Sequence, residues 1–211
     1  MSNALLLTYP GSNETGVGML LDESAAQIDH AILTADRGMR TLLLFWWHLK
    51  RGNPGTALPT RTQMDPCALP RSILPVMFIY ERLGDGRLRC RLSGTRLRDL
   101  FGQDGTGLCL DQLIIPAAVP GRSALFHQCL DSGLPLFYRG FLGPAGRSWR
   151  GFNRLLLPVS VKPGAAATQI MGMVRVFDPP PGAPALDGAD SDGLLSARLL
   201  DDATCASLAG T

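Results

Sequence analysis

The sequence predicts an α+β domain: a five-stranded antiparallel sheet with short helices on one face and an N-terminal helix. Three observations carry the prediction. A helical period of apolar residues runs through 24–51, a period of two appears at 76–92 and again at 135–177, and Gly/Pro turns separate these stretches. A chain of 211 residues with 45% hydrophobic content supplies one domain with decorated ends.

Residues 1–21 lack a clear period and are expected to be loose. Ser24-Ala25-Ala26-Gln27 fits a capping box, so a helix is expected to start there, with Ile28, Ile32 and Ala35 at helical spacing. Gly38 is expected to interrupt or kink it. A second stretch, Met39 to Arg51, closes on Lys50-Arg51-Gly52, two cations and a C-cap glycine. Met39, Leu42, Leu43, Trp46 and Leu49 share one face, yet Leu44, Phe45 and Trp47 make the other faces apolar. A helix that is hydrophobic most of the way round must be covered on more than one side. A homodimer through this helix is therefore expected, with Phe45, Trp46 and Trp47 as interface candidates: one indole anchors the helix to the sheet and the other faces a second protomer.

Prolines 54, 59, 66, 70 and 75 mark an irregular segment wrapping the surface. Val76–Glu81 then reads as a strand, Gly84-Asp85-Gly86 as a turn, and 87–92 as a strand of strict alternation. That alternation places Arg87, Arg89 and Arg91 on one face, where a guanidinium could stack on an indole of the helix, and Leu88, Cys90 and Leu92 on the other. Short helices are expected at Thr95–Phe101 and Leu108–Ile114, and a longer one at Ser123–Asp131. Strands follow at Pro135–Phe141, Ser148–Val161 and Thr168–Phe177. The domain is thus placed at 22–177, with its N-terminal helix at 22–52 and its core at 76–177. An acidic, Pro/Gly-rich tail is placed at 178–211.

Composition excludes several functions. The net charge of +2 conceals a tail of six Asp and one Arg and a remainder that is mildly basic. Eighteen of the twenty basic residues are arginine, the usage of a GC-rich bacterial genome. Five scattered cysteines form neither a disulfide framework nor a zinc site. No basic leader precedes the apolar run Ala4–Leu7 and no segment is long enough to span a bilayer, so a cytoplasmic protein without a membrane partner is expected. The stretch RCRLSGTRLRDLFGQDGTG (89–107) has the glycines of a phosphate loop but no GxxxxGK[ST]. Residues 61–98 hold eight arginines against three acids, a basic surface that keeps a nucleic-acid-associated regulator as an alternative, although no helix-turn-helix, zinc finger or RNA signature accompanies it. No nucleophile elbow, HExxH helix or reactive-cysteine context is present, so no catalytic residue and no metal ligand is assigned. An unrecognised small-molecule enzyme remains the second alternative.

Phe45-Trp46-x-x-Leu49, LPTRTQMDP (58–66), Leu69-Pro70, Leu74-Pro75, Arg89-x-Arg91-Leu92-x-Gly94-Thr95 and Gly102-x-Asp104-x-Thr106-Gly107 succeed one another in order. In this succession the chain resembles a family of short bacterial PAS-like domain proteins, over about 41–115 and more weakly to 177. The residues carrying the resemblance are Pro59, Arg61, Asp65, Pro66, Arg91, Gly94, Thr95, Gly102, Thr106 and Gly107. It implies a PAS-like sheet cupping short helices, with 89–107 as scaffold and pocket edge. It also implies a non-catalytic sensor or protein-interaction module in signalling, acting through a partner protein, a dimer or the tail. PAS-like folds hold haem, flavin, metabolites or nothing. The expected pocket lining is Met77, Ile79, Cys90, Leu92, Phe101, Leu110, Phe126, Leu130, Leu155, Leu157, Met171 and Met173. His127 is added because it stands in the helix where haem-binding PAS domains carry their axial ligand, although it lies at the margin of that helix's apolar face.

Overall fold

In the computed structural model, residues 17–142, 150–178 and 194–210 are described. Five helices and six strands are found there: α1 Val17–Ala35, α2 Arg37–Gly52, β1 Met77–Arg82, β2 Leu88–Ser93, α3 Thr95–Phe101, α4 Val119–Ser132, β3 Leu136–Leu142, β4 Arg150–Ser160, β5 Ala167–Phe177, β6 Leu194–Leu199 and α5 Asp202–Gly210. Single 3-10 turns fill the connections, among them Leu110–Gln112 where a longer short helix was expected. The six strands form one antiparallel sheet in the order β2-β1-β5-β4-β3-β6.

The capping signal at Ser24 does not start a helix, because α1 already runs through it from Val17. The working cap is Asp36. Its extended backbone separates α1 from α2, and its carboxylate accepts from Met39 N at 2.9 Å. Gly38 stands inside the first turn of α2 rather than at the break, and a Cβ there would lie 2.6 Å from Arg175 Nη2. The absent side chain lets Arg175 reach Asp36 from β5, Nε to Oδ2 at 3.0 Å. At the other end, Asn53 N–H closes α2 on the Leu49 and Lys50 carbonyls. The Asn53 side chain pairs with Gln63 at 2.7 Å and fastens the proline-rich segment.

The sheet is covered on both faces, so its central strands are apolar on both. One core lies between the sheet and α2: Leu42, Leu43 and Trp46 pack on Met77, Ile79, Leu155, Leu157, Met171 and Met173. Trp46 is fully buried and its indole N–H donates to Pro158 O at 2.7 Å. The second core lies under α3 and α4: Phe126, Cys129 and Leu130 pack on Phe78, Tyr138, Phe152, Leu156, Ile170 and Val174.

The segment read as an acidic tail contributes two elements to the fold. β6 pairs with β3 and adds the sixth strand, and α5 buries Cys205 and Leu208 in the α2 core. Polar contacts lock this closure. Lys50 Nζ meets Asp202 Oδ1 at 3.0 Å, Arg40 Nε donates to Leu208 O at 2.9 Å, and buried Asp29 on α1 accepts from Arg139 of β3 and Ser196 of β6. The remainder of that segment, 179–193, lies outside the described residues.

This closure also answers the question posed by the all-round apolar α2. α1 and α5 of the same chain cover it. Trp46 and Trp47 are both buried within the chain, and Phe45 is half-buried against the same core, so neither indole is left facing a second protomer. The guanidinium over an indole is that of Arg51, 4.8 Å from the Trp47 ring centre, not one of the strand row.

Candidate functional site

On the face away from α2 the sheet, α3, α4 and the loop between them enclose a cavity of about 70 Å³, open on one side. Phe78 and Tyr80 of β1, Cys90 of β2, Arg154 of β4 and Val174 of β5 supply the sheet side. Leu97 of α3, Gln103, Gly105 and Leu110 of the loop region, and Arg122 of α4 supply the rest. Elsewhere this face is close-packed with large side chains, so the cavity is a local opening in a filled core.

Two backbone features shape it. At Gly172, a Cβ would lie 2.4 Å from Leu155 O and 2.5 Å from the Phe78 ring, so only glycine lets that ring lie across β5. In β2 the register shifts between the pairs Ile79–Leu92 and Tyr80–Cys90, leaving Arg91 as the extra residue of a bulge. The strict alternation expected at 87–92 is therefore broken. Cys90 faces the cavity, whereas Leu92 lies on the α2 side.

The cavity is aromatic and cationic. Tyr80 stands edge-on to Phe126 at 5.2 Å between ring centres, and Tyr138 edge-on to Phe152 at 5.8 Å. The Arg122 guanidinium lies 4.9 Å from the Tyr138 ring centre and 5.0 Å from that of Phe152. The Arg154 guanidinium lies 5.6 Å from the Phe78, Tyr138 and Phe152 rings, and its Nη1 donates to Tyr138 Oη at 2.9 Å. Burial pushes the Tyr80 phenol well above its ordinary value and the Cys90 thiol up to about 11, so both stay neutral near pH 7. The Cys90 thiol also lies 3.3 Å from Leu92 O across the bulge, in hydrogen-bond reach.

Of the pocket residues expected from the sequence, Cys90 and Leu110 line this cavity. Phe126 and Leu130 belong to the core beneath it. Met77, Ile79, Leu92, Leu155, Leu157, Met171 and Met173 lie on the opposite face, against α2. Phe101 closes α3, and its side chain falls outside the described residues. His127 is half-buried on α4 and is not a lining residue, and the cavity is too small for a macrocycle, so the residues present do not fit haem. The other lining residues, Phe78, Tyr80, Arg122 and Arg154 among them, were missed. Arg122 is buried and Arg154 half-buried against aromatic rings.

A second cleft of about 180 Å³ lies at the sheet edge on the α2 side, lined by Arg61, Ile79, Arg91, Leu92 and Gln169. Its arginines already have acceptors, Met64 O at 3.0 Å for Arg61 and Glu81 at 3.5 Å for Arg91, so it asks less of a ligand than the smaller cavity. The remaining motif residues hold loops. Pro59 O accepts from Ser160 N at 3.0 Å, and Asp65 caps the turn at Pro66 by accepting from Cys67 N at 2.9 Å. Thr95 opens α3, Gly102 ends it in the left-handed region, and Gly107 has φ +89° after Thr106, whose N–H bonds Asp104 at 2.9 Å. A Cβ on Gly94 would lie 2.4 Å from Pro75 O. The stretch 89–107 is thus scaffold and cavity rim.

Five of the eight arginines at 61–98 have carboxylate partners: Arg82 with Asp131, Arg87 with Asp85, Arg89 and Arg91 with Glu81, and Arg98 with Asp99. Among the described residues no helix is long and apolar enough to cross a membrane, and no group of three or more His, Cys, Asp or Glu could hold a metal.

Residues 36–174 match the PAS domain family. No curated protein and no solved structure matches the chain. The match covers α2, both helices beneath the cavity, strands β1 to β4 and β5 as far as Val174, with β6 and α5 outside it. The chain belongs to the PAS domain family.

Proposed function

We propose that the protein is a non-catalytic cytoplasmic sensor in signalling, and that the cavity between β1, β2, β4, β5 and helices α3 and α4 is where its signal binds. The observation carrying this reading is the opening itself. A close-packed face keeps a cavity floored by Phe78 and Val174 and flanked by two guanidinium groups. A core selected only for stability would be filled by apolar side chains. The lining supplies neutral donors and cations but no pairing of a nucleophile with a general base, which favours binding over turnover. Output through a partner protein, a second copy of the chain included, is part of the proposal. Ile28 on α1 and Leu194 and Leu195 at β6 are exposed apolar side chains that such contacts would cover.

The test is to denature freshly isolated full-length protein and identify small molecules released in stoichiometric amount by mass spectrometry. A released metabolite that raises the melting temperature when added back is the expected result. An empty protein whose melting temperature no metabolite fraction changes would overturn the reading and leave a partner-binding module with a filled core.

A further inference from the structure

We infer that the cavity takes a small organic acid, its carboxylate held by Arg154 and its short apolar body lying against Phe78, Leu97 and Leu110. The inference rests on the reading of this cavity as the sensing site and names the chemical class that fits it.

Arg154 is the reason. Its Nη1 donates to Tyr138 Oη at 2.9 Å, its Nε is buried with no acceptor, and no carboxylate pairs with it among the described residues. Aromatic faces soften the burial of a cation but do not neutralise it. Arg154 is half-buried, and a partly desolvated charge is completed by an opposite one. No acidic residue lines the cavity beside Arg154, so a neutral ligand leaves its guanidinium without a counter-charge. The planar fork of the guanidinium matches a carboxylate in two parallel hydrogen bonds. Tyr80, kept protonated by burial, adds a neutral hydroxyl on the sheet side.

Size narrows the class. A cavity of about 70 Å³ accommodates on the order of five water-sized groups. That is a short aliphatic acid, with any longer body emerging through the open side. Phe78, Leu97 and Leu110 set the apolar part.

The experiment is calorimetric titration of the full-length protein with acetate, propionate and butyrate, with propionamide and butyramide as isosteric neutral partners, and with propylamine. The acids are expected to bind, more tightly as the chain lengthens to fill the cavity, with the amides at least about tenfold weaker and the amine silent. Arg154→Gln should weaken propionate binding by about ten- to a hundredfold, and Arg154→Lys by less. Amides binding as well as acids, or Arg154→Gln leaving the acid affinity unchanged, would overturn the acid class while leaving the cavity as a sensing site. The comparison of acid with amide in the unmodified protein stands even where a variant fails to fold. Silence from every acid also overturns the inference, and an uncharged metabolite released on denaturation would then retain the sensing reading alone.

Discussion

Arg154 Nη1 and Tyr138 Oη, on neighbouring strands β4 and β3, stand 2.9 Å apart, and this bond aims the guanidinium along the cavity wall. Tyr138 is fully buried, so Tyr138→Phe deletes the acceptor without opening space. The variant should lose about 1–2 kcal/mol of stability, the cost of leaving a buried donor unmet. A urea midpoint that falls with an unchanged slope checks this, and an unaltered midpoint would show that the bond holds nothing.

Gly94, next to the lining residue Ser93, makes a tight backbone approach. Its N–H donates to Met77 O at 2.8 Å, and a Cβ would sit 2.5 Å from Pro75 C. Gly94→Ala must therefore push the start of α3 away from the 74–75 segment. The expected loss is about 1–3 kcal/mol, as for overpacking a rigid site. Gly52 is the control, since a Cβ there meets nothing within 4 Å. Thermal melts of the two variants should differ, and equal melts would refute the close approach.

The C-terminal helix is structural. Leu208 is fully buried in the α2 core, so Leu208→Ala should cost about 2–5 kcal/mol. Removing residues 194–210 should expose α2 and promote association of the protein. Light scattering of the truncated chain tests this, and a stable monodisperse truncation would mean that α5 does not cover α2.

Burial raises the Cys90 thiol to about 11 and that of Cys205 to about 12, above the roughly 8.5 of an unfolded cysteine. The folded state then keeps protons that the unfolded chain releases. Stability is full below the unfolded value and declines as pH rises through the window up to about 11–12. Urea midpoints from pH 7 to 11 should fall, with a shallower slope in Cys90→Ala/Cys205→Ala. In the native protein at pH 8, iodoacetamide should modify exposed Cys67 well before any of the four buried cysteines. Rapid modification of Cys90 would contradict its burial.

The fold was largely legible because several signals are local. The Gly84-Asp85-Gly86 turn, the end of α2 at Gly52 and the α3 boundaries all follow from short-range chemistry. The cavity face was not. Met77-Phe78-Ile79-Tyr80 and Leu155-Leu156-Leu157 are apolar on both sides because helices cover both faces of the sheet, and a period of two cannot then choose between them. The Arg91 bulge added a one-residue slip, invisible in a strand that alternates perfectly on paper. β6 and α5 were hidden by the Pro/Gly-rich segment before them, whose composition reads as linker whatever follows it.

The central claim is that the face beneath α3 and α4, not the face beneath α2, receives the signal. Amide NMR of isotope-labelled full-length protein, with propionate added to saturation, tests it most directly. The account predicts shifts concentrated at Tyr80, Cys90, Leu97, Gly105, Leu110 and Arg154. Shifts concentrated at Ile79, Leu92, Gln169 and Met171 on the α2 side would contradict it, whereas an absence of shifts would overturn the acid class alone.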